Sequence, residues 1–142
     1  MTTNNSPDVD VALAKLAEQI DALNEQAARR QEEYSTLELK DPTRPAVLRE
    51  VRGLHAAAYG AMERRSRIEG AVRQLQASHA FEEELRAKHK KATDWLEFVG
   101  RNDPRTRAAD DDVTKANAAI RALLERRAHL TERLEAAISA AQ

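Results

Sequence analysis

The sequence predicts an all-α protein of three long antiparallel helices that form coiled-coil-like hairpins, and three observations carry that prediction. The chain of 142 residues is one-third charged and only 4% aromatic, so its core must be built from Leu, Ile, Val and Ala. It is rich in Ala, Leu, Arg and Glu, which are strong helix formers. Apolar residues recur at alternating intervals of three and four over three long segments, which is the heptad signature. Two short proline-containing segments separate those runs.

Residues 1–6 read as a polar tail. Ser6 suits an N-cap, Pro7 the first helical position, and Asp8 the positive end of the helix dipole. From there the seam is Val9, Leu13, Leu16, Ile20, Leu23, Ala27, Arg30, Tyr34 and Leu37, predicting a helix over about residues 7–39. Asp41, Pro42 and Pro45 then interrupt it, because proline removes a donor and restricts the residue before it.

The second helix is expected over about residues 45–99. Its seam begins Val47, Val51, Leu54, Ala58, Ala61, Arg65, Ile68, Val72 and Leu75. Beyond Leu75 the register slips to a stripe of Phe81, Leu85, Ala92, Leu96 and Val99, with Ser78 and His79 at the change. A bend or local unwinding is expected there. Gly100 suits the left-handed position after a helix, and Asp103-Pro104 the next start. The third helix, about 104–141, carries Val113, Ala116, Ile120, Leu123, Arg127, Leu130, Leu134, Ala137 and Ala141.

Short connections make successive helices antiparallel. The reading is one helical domain, residues 7–142. The helix lengths favour an elongated pair of end-to-end hairpins; a three-helix bundle results if the middle helix bends.

Composition narrows the function classes. There is no cysteine, which excludes disulfides and thiolate metal sites. No run of 18 apolar residues exists, so no membrane span is expected, and the start of the chain does not read as a secretory signal. The cytoplasm, or a particle assembled there, is the expected location. Net charge is −1, which gives the whole chain no drive toward nucleic acid. The charge is uneven: residues 1–40 carry an acidic excess, and the remainder a basic one.

No catalytic residue, cofactor site or metal site is expected. His55, His79, His89 and His129 fall in no known ligand spacing. His79 with Glu82 or Glu83 makes at most half a metal site, and solvent exposure is the expectation for it. The basic clusters Arg64, Arg65, Arg67 and Arg86, Lys88, Lys90, Lys91 have acidic neighbours and read as solvated faces.

The residues that stand out are interface candidates. Gly53 and Gly60, among alanines, suggest a close helix approach, since helix-interior glycine costs about 1 kcal/mol. Tyr59 and Met62 form a second apolar stripe beside them. Trp95 and Phe98, followed by Arg101, Arg105 and Arg107, have the composition of binding hot spots. Arg30, Arg65 and Arg127 sit at seam positions, where polar residues commonly set register or oligomer state; replacing Arg127 by leucine is expected to raise thermal stability. Together these features suggest a non-enzymatic structural or assembly protein, acting through helix–helix contacts in a homo- or hetero-oligomer. A phage or other bacterial particle component fits the size and lack of cysteine. An adaptor or chaperone-like protein-binding module, and a regulatory nucleic-acid binder using the arginine clusters, are the alternatives.

Overall fold

The computed structural model of the chain describes residues 6–100 and 103–142. They form three helices, α1 (Pro7–Thr36), α2 (Arg44–Val99) and α3 (Thr106–Ala141); no strand occurs among the described residues. The protein is all-α and built of helical hairpins. Arg30 on α1 pairs with Glu50 on α2 at 2.7 Å, and Arg127 on α3 hydrogen-bonds Ser78 on α2 at 3.3 Å.

Each boundary has a local cause. At the start of α1 the Ser6 hydroxyl makes no cap bond. The Ser6 carbonyl instead accepts from Val9 and Asp10 N–H at 3.0 and 3.3 Å, and Pro7 supplies the helical φ. α1 stops at Thr36, short of the expected 39, where Leu37 turns extended. The Ser35 and Thr36 hydroxyls donate to the carbonyls of Glu32 and Glu33 at 2.6 and 2.8 Å, occupying the last turn's acceptors.

The starts of α2 and α3 use one local device twice. Asp41 Oδ1 accepts the Thr43 N–H at 2.8 Å, and Asp103 Oδ1 accepts the Arg105 N–H at 2.8 Å. The aspartate carbonyl then accepts the N–H three residues on, from Arg44 at 3.2 Å and Thr106 at 3.0 Å. In both turns proline follows the aspartate, so an Asx turn leads each helix. An arginine at each start lies over an aromatic ring of the preceding helix: Arg44 over Tyr34 at 4.5 Å and Arg105 over Trp95 at 5.6 Å. Gly100 ends α2 with φ +79° and donates to the Leu96 carbonyl at 3.2 Å, closing the left-handed C-terminal turn.

The chain divides into two compact units. The first comprises the chain through Gly70 together with Leu134–Gln142; the second is Ala71–Arg133. In the first, Val9, Ala12, Leu16, Ile20 and Ala27 of α1 are buried, with Val51, Ala58, Ala61 and Ile68 of α2. Leu16 and Ile68 are fully enclosed, each burial contributing about 1.5–3 kcal/mol. In the second, Leu85, Ala109, Ala116, Leu123 and Leu130 are buried, and so is Ser78.

α2 is one unbroken helix of 56 residues, so it neither unwinds nor breaks at residues 76–80. The register does change, but the second stripe differs from the expected one. It runs Ser78, Glu82, Leu85, His89, Ala92, Leu96, Val99, all buried or half-buried, again alternating four and three. Phe81 lies off it, 49% exposed. Three polar members hid this stripe from a reading of apolar spacing. Arg65, expected on the first stripe, is exposed and pairs with Glu69 on its own helix at 2.9 Å.

Candidate interaction surface

The second unit carries an open groove of about 610 Å³ between α2 and the start of α3. Its α2 wall is Lys88, Lys91 and Trp95, with Ala92 below; its α3 wall is Arg105, Ala108, Ala109 and Asp112. Ala92, Ala108 and Ala109 keep the floor low; the Trp95 ring beside them is half-buried, with the Arg105 guanidinium 5.6 Å from its centroid. Asp103 holds Arg105 in place through two bonds, Nε to Oδ1 at 3.0 Å and Nη2 to Oδ2 at 2.8 Å. These bonds, with the Arg105 backbone N–H, push the Asp103 pKa down to about 2. The charge of Arg105 is thereby already matched. Among the described residues Lys88, Lys91 and Asp112 make no ion pair, so two cations and one anion line the groove unmatched.

Phe98 extends the same face. Phe81, Glu84, Lys88, Lys91, Trp95 and Phe98 follow at intervals of three and four, roughly 100° round α2 from its buried stripe. Phe98 is 90% exposed. Of the expected group, Trp95 and Arg105 meet at this end of the hairpin, 5.6 Å apart, and Phe98 lies three residues further along α2. Arg107 is exposed on α3, and Arg101 lies outside the described residues. Lys88 and Lys91, which read from the sequence as a solvated face, are exposed and also line the groove. Their spacing of three and four from Trp95 was the available signal.

Gly53, Tyr59, Gly60 and Met62 do not form one surface. Tyr59 and Met62 stand 65% and 46% exposed on one flank of α2, while Gly53 and Gly60 lie on the opposite flank, on either side of the buried stripe at roughly 100° per residue. The glycines are not close-approach positions within the chain. A Cβ at Gly53 would meet nothing within 4 Å, and one at Gly60 only the flexible end of Arg64 at 3.8 Å. Gly53 instead borders a groove of about 490 Å³ with Arg30, Glu33 and Glu50.

The seam arginines take three different roles. Arg30 bridges the first hairpin, meeting Glu33 on its own helix and Glu50 across it. Arg65 faces solvent. Arg127 is the enclosed one: its guanidinium reaches Ser78 Oγ and the Ser78 carbonyl, each at 3.3 Å, and the Glu82 carboxylate. Glu82 also receives Arg86 at 2.9 Å. Hydrogen bonds from Arg127 and then Arg86 hold its pKa below the usual carboxylate value. With Arg127 17% and Glu82 15% exposed, this is a polar node inside the seam, and it ties α2 and α3 in one register.

Glu82 is therefore engaged by two arginines and is not free to join His79 in holding a metal. Among the described residues no group of three His, Asp or Glu is placed to hold a metal ion, and no described helix is long and apolar enough to cross a membrane. Comparison with protein families, with curated proteins and with solved structures finds no match for this chain.

Proposed function

We propose that this is a non-enzymatic assembly protein that works through helix–helix contacts with further chains, first of all with copies of itself. The observation that carries the reading is the apolar surface of α2. Tyr59, Met62, Phe81 and Phe98 are 46–90% exposed on a single helix. Isolated exposed apolar side chains are ordinary, but Phe81, Trp95 and Phe98 share one stripe of α2 with Lys88 and Lys91 in the second unit, and aromatics beside unmatched charge have the composition of an interface. The half-buried seam positions Leu23, Leu54, Leu96 and Val113 add to this, since a two-helix segment covers only part of each seam.

A role as a subunit of a bacterial or phage particle is consistent with such a protein. So is an adaptor that presents its grooves to one partner. The arginine clusters favour nucleic acid less, since Arg65 and Arg86 are already paired with Glu69 and Glu82.

The test is self-association of the full chain against that of a Tyr59→Ser/Phe98→Ser variant, by sedimentation velocity. The unaltered chain is expected to associate, and the variant to associate more weakly with equal helicity. A variant that associates as strongly would remove α2's exposed face from the account.

A further inference from the structure

We infer that the groove beside Trp95 receives the outer face of α1 from a second copy, antiparallel and in one register. The inference rests on the proposed self-association and specifies its contact. The face of α1 turned away from its buried seam carries its own heptad stripe. It begins Val11, Ala14, Glu18 and Asp21, and every member is exposed; Val11 is 58% exposed.

The spacings of the two stripes are mirror images. Reading α1 backwards from Asp21, the intervals are three, four and three to Glu18, Ala14 and Val11. Reading α2 forwards from Lys88, they are three, four and three to Lys91, Trp95 and Phe98. Antiparallel alignment therefore sets Asp21 against Lys88 and Glu18 against Lys91, in each case an acid on an unmatched lysine. It sets the small Ala14 against the large Trp95 ring, and exposed Val11 against exposed Phe98. Both helices rise about 1.5 Å per residue, so all four pairs meet together.

The alignment continues with Ala28 against Phe81, again small on large. Along this α2 stripe one like-charged pair arises, Glu25 with Glu84, and Arg29 lies 3.5 Å from Glu25 to offset it; Asp112 on the α3 wall sets one acid against the two lysines. Charge complementarity supports the choice of occupant: residues 1–40 are acidic and the rest of the chain basic, and complementary potentials set register and partner. Each copy carries both surfaces, so association closes as a two-fold pair or continues to a larger oligomer.

The absence of native cysteine makes the register directly testable. A full-length Val11→Cys chain mixed with a full-length Phe98→Cys chain should form an intermolecular disulfide in high yield under mild oxidation, while Val11→Cys with Tyr59→Cys should not. In parallel, a Glu18→Lys/Asp21→Lys chain and a Lys88→Glu/Lys91→Glu chain should each self-associate about tenfold more weakly, and their mixture should recover association. Trp95, the sole tryptophan, should shift its emission to the blue on association. That shift should diminish between 0.1 M and 1 M salt, as the screening length falls from about 10 Å to about 3 Å.

If the unaltered chain stays monomeric, the proposed function and this contact both fail. If it associates but the mixed charge variants do not recover, or the Tyr59→Cys control cross-links equally, only this contact fails. An emission shift produced by a single-stranded oligonucleotide, without self-association, would assign the groove to nucleic acid and overturn the inference.

Discussion

Two of the helix-interior glycines of the first unit, Gly53 and Gly60, give a sharp test, because structure and sequence pattern point in opposite directions. Their position among alanines suggests close backbone approach, in which case a methyl group would clash. The geometry offers no such contact: a Cβ meets open space at Gly53 and an ordinary 3.8 Å neighbour at Gly60. Only the backbone preference remains, and alanine is favoured over glycine in a helix by about 1 kcal/mol. The sites are seven residues apart, roughly 10 Å along the axis, so the effects should add to about 2 kcal/mol. For a chain near 150 residues this corresponds to a rise in Tm of about 4–8 °C. Gly100→Ala is the internal control, since φ +79° there strains any side chain and should lower Tm. Thermal and urea unfolding by circular dichroism at micromolar concentration measures all three. If Gly53→Ala and Gly60→Ala destabilise the chain, some partner approaches those backbones closely and the reasoning fails. If they stabilise it but lower its self-association, the glycines face another copy.

Other outcomes follow from single features. Arg127→Leu alone should lower Tm, reversing the expectation from the seam pattern, because it removes a partner of enclosed Glu82 and of Ser78; Glu82→Leu/Arg127→Leu should recover most of the loss in the same melts. Leu16→Ala or Ile68→Ala should cost about 2–5 kcal/mol in urea unfolding, whereas Phe98→Ser should stay within about 0.5 kcal/mol. Asp103 has a folded pKa of about 2, below its ordinary value, so its stabilisation is present above pH about 4 and fades as the pH falls toward 2. Asp103→Asn should flatten that part of the Tm profile.

Much of the fold was legible because it is written in period. The seams of α1 and α3 read directly, as Leu16, Ile20, Leu123 and Leu130 stand at the expected intervals and are buried or nearly so. The second stripe of α2 was legible in its apolar members Leu85, Ala92, Leu96 and Val99, but Phe81 lies off it and its polar members Ser78, Glu82 and His89 were missed. Ser78 and Glu82 are satisfied in the seam by a residue on another helix, and Arg127, 49 residues from Ser78, is invisible to local pattern. The same reason separates Arg127 from Arg65: identical residue types at similar seam positions, one enclosed by a cross-helix acceptor and the other paired on its own helix. At the groove, Trp95 and Phe98 stood out as apolar residues off the seam. Lys88 and Lys91 did not, because exposed lysines are common and only the low alanine floor opposite them makes a groove. Gly53 and Gly60 read as close-approach positions because small residues cluster there, but local composition does not say whether another backbone of the chain lies near, and none does.

The central claim, that the chain acts by associating through its helices, is tested most directly by its mass in solution. Light scattering coupled to size-exclusion chromatography over a hundredfold range of concentration should show the full chain moving from its 15.9 kDa monomer mass to at least twice that value, with Trp95 emission shifting in step. A mass that stays at 15.9 kDa throughout, with unchanged emission, would contradict the account.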